Sequence, residues 1–406
     1  MHPIVSALRH HKTTVILLAL EIAVSCAIIT NALFTIGYRF GMMNLNTGVA
    51  DNELVWVMSR YLNDGITPTE QISLASADLA ALRAMPNVKS AIMVNSLPLT
   101  SHSWTTSIAS KPGDENSTVN DVALYAGTSD MLKTLGIRLI QGRDFLSQEY
   151  TDYKIFGDNP PPAAVIITHS LAERLWPGEN PLGKPIYLGE NGKHVTRVVG
   201  VVDHLLNPHV RNYSDANLNL LLPVKAMPGG MYVLRVSPKT RNTLLKEIPK
   251  VLDAVDDQRI ITDEHSYAQT RADYFHDDRA LIWLLLVVIA CLLALTALSL
   301  GGLSSFWVQQ RTHHIGIRRA VGATRKDILL YFLIENFLIV GVGVILGLAG
   351  AVGLNLWLVR QYELPHLRLA WLPIGALVLW LIGQLAVLGP ALRAAAVHPS
   401  TATRNV

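Results

Sequence analysis

The sequence is poor in cysteine. Only Cys26 and Cys291 occur in 406 residues, and both lie inside long apolar stretches. The polar segment between those stretches therefore has no disulfide, and its hydrophobic core alone must hold it together. At roughly 240 residues, that segment is long enough to build such a core.

The sequence also lacks the short motifs of common catalytic and metal sites. There is no Gly-x-x-x-x-Gly-Lys-Ser/Thr phosphate loop, no Cys-x-x-Cys, no His-Glu-x-x-His and no Gly-x-Ser-x-Gly. The histidine pairs at 10–11 and 313–314 are adjacent, whereas two ligands on one helix face need a spacing of three or four. The acid pairs at 256–257, 263–264 and 277–278 are typical of solvated turns and helix ends. We therefore predict a non-catalytic chain with no metal site and no cofactor of its own.

Long hydrophobic runs are present instead. Half of the residues are hydrophobic, 16% are charged and the mean hydropathy is +0.30, which indicates a membrane part joined to a large aqueous part. A spanning helix needs roughly 20 apolar residues. Four stretches satisfy this requirement, at about 14–36, 281–308, 328–359 and 371–392.

Positive charge predicts the orientation of these spans. The loop at 309–327 is short and strongly basic, so it should stay in the cytoplasm beside anionic lipid. Four spans then place both termini, with Arg9, Lys12, Arg393 and Arg404, on that same side. The first span is too long for a signal-peptide core and lacks a small-x-small cleavage site, so we interpret it as an uncleaved anchor. The net charge of +3 is explained by this orientation, and nucleic-acid binding is not expected.

The segment at 37–279 has mixed helical and strand patterns. We expect a helix at 72–85 capped by Thr69, Glu70 or Ser73, a helix at 239–254, and strands at 88–94, 231–236 and 259–262. A hairpin is expected from 186–188 and 195–202 around the turn at 190–193. The alternation predicts an α+β domain of two lobes, with one lobe inserted at about 125–223.

Several motifs, taken in order, resemble those of a known family. The loop sequence Ile-Gly-Ile-Arg-Arg-Ala-Val-Gly-Ala-Thr-Arg at 315–325 is similar to the signature of MacB-like and FtsX-like ABC transporter permeases. The stretches at 135–145, 164–168, 176–186 and 198–202 resemble successive landmarks of the MacB-type periplasmic domain. The resemblance covers nearly the whole chain. It implies a cytoplasmic N-terminus and first helix at 1–36, a periplasmic α+β domain at 37–279 and an FtsX-like domain at 280–406.

The resemblance implies a function in the bacterial inner membrane. The chain would be a permease subunit without the fused ATPase of MacB, so a separate ABC ATPase that binds ATP and Mg would drive it, and its periplasmic domain would change shape for efflux or export. Further implied partners are a second permease subunit, identical or different, a periplasmic adaptor and an outer-membrane channel. A coupling helix within 309–327 would contact the ATPase through His314, Gly316, Arg318, Arg319, Gly322, Arg325 and Lys326. The family commonly has Glu at the position of His314, so that contact is expected to differ here and to be sensitive to pH.

The sequence leaves open the function of two intramembrane acids and of a glycine stripe. Glu21 and Glu335 either relay protons or substrate, or each faces another helix or an Arg or Lys near the membrane surface. Glu335 matches a family position, which implies a packing or coupling role. Gly343 and Gly347 form a small-xxx-small pair that packs on the second or fourth span or, by resemblance, near a dimer contact.

Three alternatives to efflux stay open at this stage. By resemblance to FtsX-like proteins, the chain could signal to a periplasmic partner such as a cell-wall hydrolase. Lipoprotein extraction is a further transport class. A membrane-anchored hydrolase is a third, although no nucleophile or clustered acid supports it. The substrate is not indicated by the sequence.

Overall fold

The computed structural model describes residues 12–62, 65–100, 102–112, 117–152, 160–189, 194–210, 213, 215–227, 230–362 and 365–397. The chain divides into two compact units. The membrane unit comprises Met1–Met43 and Asp277–Val406, and the middle domain comprises Asn44–His276.

The described residues form ten α-helices and eleven strands. The helices are α1 (Lys12–Met43), α2 (Pro68–Ala84), α3 (Met131–Leu135), α4 (His169–Leu175), α5 (Arg241–Val255), α6 (Tyr267–Tyr274), α7 (His276–Gln310), α8 (Thr312–Ala320), α9 (Arg325–Tyr362) and α10 (Leu372–Ala396). The strands are β1 (Leu54–Tyr61), β2 (Val88–Val94), β3 (Thr105–Ala109), β4 (Thr118–Gly127), β5 (Leu139–Gly142), β6 (Ala164–Thr168), β7 (Pro185–Leu188), β8 (His194–Val202), β9 (Asn219–Pro223), β10 (Met231–Val236) and β11 (Arg259–Ser266).

Four helices of the membrane unit are long and apolar enough to cross a bilayer. They are α1, α7, α9 up to Gln361, and α10 together with the short turn before it. Their large apolar side chains are exposed around the bundle; Trp283, Leu298 and Ile345, for example, are each at least 70% exposed. This distribution suits a surface surrounded by lipid, because lipid tails solvate apolar side chains. Helices α1, α7 and α9 cover their predicted spans and extend beyond them at both ends, whereas α10 begins one residue after the predicted start and continues past the predicted end.

The middle domain is built on one sheet with the strand order β11-β1-β10-β2-β4-β3-β7-β8-β6-β9, and β5 pairs with β8. The central strands are covered on both faces, so successive residues of β1 enter different cores. Val55 and Val57 pack beneath α2 and α5, whereas Leu54 and Trp56 pack on the opposite face. Such a strand is apolar throughout and does not alternate.

One end of this sheet closes on itself. Besides its place in the path above, β9 pairs in parallel with β4, so β4, β3, β7, β8, β6 and β9 form a ring of six strands. The other end remains open, and β11 pairs only with β1 among the described residues. The sequence boundary proposed at residue 125 falls inside β4, and β3 lies before it, so that boundary does not follow the strand pairing.

The predicted bounds of individual helices and strands agree with the structure to different degrees. β2 and β10 have the predicted bounds, and β7 pairs with β8 as expected for the predicted hairpin, whose turn at 190–193 lies outside the described residues. The first middle-domain helix begins at Pro68, earlier than predicted. Its cap is Thr67, which forms a reciprocal capping box with Glu70; the predicted caps Thr69 and Ser73 are wrong. Strand β11 runs four residues past its predicted end at 262.

Candidate functional site

The loop between the second and third spans folds as the short helix α8. This helix ends in a Schellman motif, in which Gly322 N donates to Arg319 O at 3.2 Å and Ala323 N donates to Arg318 O at 3.0 Å. Gly322 has a φ of +107°, which glycine adopts without the steric cost of a side chain. The turn is therefore determined by the glycine that the sequence singled out.

A capping box then starts α9 directly after that turn. Thr324 N donates to Asp327 Oδ2 at 2.8 Å, and Asp327 N donates to Thr324 Oγ1 at 3.2 Å. The carboxylate of Asp327 also lies near the positive end of the helix dipole, which stabilises the first turn. The geometry between α8 and α9 is thus specified locally by Gly322, Thr324 and Asp327.

The inner face of α8 is attached to the membrane helices. Ile315 and Gly316 are buried, and Ile315 belongs to the core of the membrane unit. Arg311, the residue before α8, donates through Nη1 to both carboxylate oxygens of Glu335 on α9, at 3.1 and 3.0 Å. The Glu335 side chain is only 3% exposed, so this ion pair lies in a region of low dielectric and strong attraction.

Two of the predicted contact arginines have partners within the chain. The guanidinium of Arg318 lies 5.2 Å from the ring centroid of Tyr331 on α9, within the range of a cation–π interaction. Arg319 Nη1 donates to the backbone oxygen of Val397, which directly follows α10. Arg319 therefore links α8 to the end of the last span, and its side chain is not freely available as a surface charge.

The outer face of α8 is exposed and partly apolar. His313 and His314 are exposed, as are Ile317 at 46% and Val321 at 84%. Arg325 and Lys326, in the first turn of α9, are also exposed. A fixed helix that presents apolar side chains beside cationic ones can dock a protein whose surface has an apolar groove with an acidic rim.

Glu21 differs from Glu335 in its hydrogen bonding. Its Oε1 atom on α1 is buried and has no hydrogen-bond partner in the part of the chain that the structure describes. Glu335 therefore has a cationic partner within the chain, whereas Glu21 Oε1 has no hydrogen-bond partner among the described residues.

The glycine stripe of α9 packs on the first span. A Cβ added to Gly343 would lie 2.7 Å from Ile22 Cβ, and one added to Gly347 would lie 2.4 Å from Cys26 Cβ. Both contacts are with α1, whereas the sequence pattern suggested the second span, the fourth span or a dimer contact. Small residues at this position allow the two helix backbones to approach closely.

Replacement of Gly347 by valine should separate α1 from α9. We expect a strong decrease in the thermal stability of the purified chain, because an added side chain overlaps α1 backbone and Cys26 Cβ atoms, which cannot move independently. Gly353→Val is the matched control on the same helix, since Gly353 is exposed and no atom lies within 4 Å of its added Cβ. Equal melting temperatures for the two variants would contradict the close packing.

The middle domain contains a buried ionic network that the sequence patterns did not predict. Arg259 on β11 donates to both oxygens of Asp78 on α2, at 2.9 and 2.8 Å, and both side chains are fully buried. The hydroxyls of Tyr61 and Tyr232 also donate to Asp78. Burial raises the pKa of Tyr61 to about 12 and raises that of Tyr232 further, so both tyrosines stay neutral donors. One sequence feature could have predicted this network: the acid at position 78 lies within the apolar stripe that contains Ala75, Leu79 and Leu82.

Comparisons with known proteins agree with both parts of the chain. A family model described as a MacB-like periplasmic core domain matches residues 13–251, and one described as an FtsX-like permease C-terminal domain matches residues 286–399. The macrolide export ATP-binding/permease protein MacB of Acinetobacter baylyi is 22% identical over 85% of this chain and 49% of its own length. MacB of Bartonella henselae is 25% identical over 84% of this chain and 50% of its own length.

A third relative is named for a different export function. The probable syringafactin export ATP-binding/permease protein SyfD of Pseudomonas syringae pv. tomato is 29% identical over 58% of this chain and 36% of its own length. The chain thus spans half or less of the length of these relatives. Because the periplasmic core model alone matches more than half of the residues, this chain belongs to the MacB-like family of ABC transporter permeases.

Proposed function

We propose that this chain is a permease subunit that couples ATP hydrolysis by a separate ABC ATPase to a conformational change of its middle domain, for efflux or export. The observation that carries the proposal is how α8 is attached to the membrane helices. Its inner face is held by the Arg311–Glu335 ion pair and by Arg319, while Ile317 and Val321 are presented outward. A force applied to α8 is therefore passed to α9 and to the end of α10.

The connection to the middle domain supports the same proposal. The middle domain follows α1 and precedes α7 in the chain, and Arg39 of α1 forms an ion pair with Asp278 of α7 at 2.9 Å. These two helices are joined at the ends that adjoin the middle domain. The two helices then move together and transmit their movement to the middle domain. Such a mechanism does not require the substrate to pass through the membrane part of this chain.

Further parts of the proposal concern placement and assembly. We place the chain in the bacterial inner membrane, with both termini and α8 in the cytoplasm and the middle domain in the periplasm. A second permease subunit, identical or different, completes the membrane assembly, and an adaptor and an outer-membrane channel are candidate partners. The middle domain works as two lobes, the open end of the sheet with α2 and α5 and the six-stranded ring, which adjoin where Val94 of β2 pairs with Gly127 of β4.

The exposed apolar face of α8 provides the test. Ile317→Glu should abolish co-purification with the ATPase subunit and stimulation of its hydrolysis, because a carboxylate replaces an apolar contact at the centre of the docking face. Ile260→Glu is the matched control. Ile260 is 50% exposed, close to the 46% of Ile317, but lies on β11 of the middle domain.

The two variants separate docking from general damage. We expect Ile260→Glu to bind the ATPase at the wild-type level. Full ATPase binding and stimulation by Ile317→Glu would contradict the assignment of α8 as the docking element.

A further inference from the structure

A cavity lies at the open end of the middle-domain sheet, between β1, β11 and α6. Its volume is about 320 Å³, at the lower end of the range of ligand sites, which begins near 300 Å³. Its lining includes Trp56, Asp263, His265, Thr270, Asp273 and Tyr274. The cavity lies within the middle domain and is separate from the ATPase-docking face.

The walls of this cavity are fixed before any ligand binds. Trp56 Nε1 donates to Thr270 Oγ1 at 2.8 Å, and the Trp56 and His265 rings have centroids 5.3 Å apart. The hydroxyl of Tyr274 accepts from Val210 N at 3.0 Å. Pre-formed walls reduce the entropy lost on binding.

The polar groups of the cavity carry unbalanced negative charge. Both carboxylates are exposed to solvent. The Asp273 side chain makes no hydrogen bond or ion pair with the residues that the structure describes, and the only such partner of the Asp263 side chain there is the imidazole of His265, at 3.3 Å. His265 Nδ1 is buried and has no hydrogen-bond partner there. The lining also contains a second histidine, His102, but neither lysine nor arginine.

Neighbouring cations do not neutralise both acids. Lys246 and Lys250 line an adjoining groove that includes Asp263 but not Asp273. Arg271, on the same helix as Asp273, binds Asp51. Asp273 is therefore the principal uncompensated charge of the cavity.

We propose that this cavity binds a small organic cation, an ammonium group on an aromatic or apolar body. The carboxylate of Asp273 attracts the ammonium group, with Asp263 as a second anion, and the Trp56 and Tyr274 rings contact the apolar body and add cation–π attraction. A metal ion is a poorer match, since no group of three or more His, Cys, Asp or Glu side chains within the described ranges is arranged to hold one.

The proposal is tested by isothermal titration calorimetry on the full chain in detergent, with 2-phenylethylamine as the cationic probe. The neutral probe 2-phenylethanol has the same body with a hydroxyl in place of the ammonium group. We expect saturable binding of the amine and at least about tenfold weaker binding of the alcohol, because only the charged amine is attracted electrostatically to the carboxylates. No ATPase is present, so failure here would leave the proposed coupling function untouched.

Charge-neutralising variants identify the cavity as the site. Asp273→Asn should weaken amine binding about tenfold, and Asp263→Asn should weaken it less, because Asp263 already shares its charge with His265 and the adjoining lysines. Asp253→Asn, at an exposed position of α5 outside the cavity, is the matched control and should bind as the wild type does. All these changes are conservative, and equal melting temperatures verify folding. No saturable amine binding by the wild-type chain, equal affinity for the alcohol, or unchanged affinity in Asp273→Asn would each overturn the proposal.

Discussion

Replacement of Arg311 by methionine should uncouple the permease from the proposed ATPase subunit. The substitution leaves the carboxylate of Glu335, which is almost fully buried, without its cation in the membrane unit. Breaking such a pair costs about 3–5 kcal/mol, because a buried charge then lacks compensation. We expect α8 to lose its fixed orientation, so that ATPase binding weakens and stimulation of hydrolysis falls to the basal rate, measured with the complex in nanodiscs.

A double variant distinguishes the loss of the pair from the loss of arginine. Arg311→Met combined with Glu335→Leu removes both charges, and most of the lost thermal stability should return. Lys239→Met is the matched control, since Lys239 is exposed in the middle domain and does not belong to the docking face. Wild-type stability and full stimulation in the single Arg311→Met variant would show that the ion pair does not hold α8.

Replacement of Arg259 by methionine should produce the largest loss of stability in the middle domain. Asp78 would lose two charge-assisted hydrogen bonds at a position with no solvent access. The expected decrease in the free energy of unfolding is about 3–5 kcal/mol. In a domain of this size the decrease corresponds to a melting temperature about 10 °C lower, measured by differential scanning calorimetry of the full chain.

An exposed ion pair of the same domain serves as the control for the buried Arg259–Asp78 pair. Arg138 pairs with Asp203, but the two side chains are 74% and 42% exposed. Arg138→Met should therefore change stability by no more than about 1 kcal/mol, because water screens the pair. If Arg259→Met and Arg138→Met lowered the melting temperature equally, the buried network would not stabilise the domain beyond a surface contact.

The sequence predicted the features that depend on local pattern and composition. The four spans follow from the length of apolar runs, because a bilayer of fixed thickness requires about 20 such residues. The turn after α8 follows from Gly322, whose positive φ needs no tertiary contact. The apolar runs and flanking turns of strands β2 and β10 predict their bounds, and the order of motifs along the chain indicates the family.

Only the tertiary structure decided which side chains meet. Arg311 and Glu335 are 24 positions apart, and Asp78 and Arg259 are 181 apart, so neither pair has a spacing that one helix or hairpin produces. The same limit applies to the glycine stripe, because a small-xxx-small pattern shows that a helix can be approached closely but does not specify the partner. That partner is α1, and the cavity beside Asp273 likewise exists only because β1, β11 and α6 come together. Sequence periodicity determines which face of an element is apolar, whereas long-range packing determines what that face contacts.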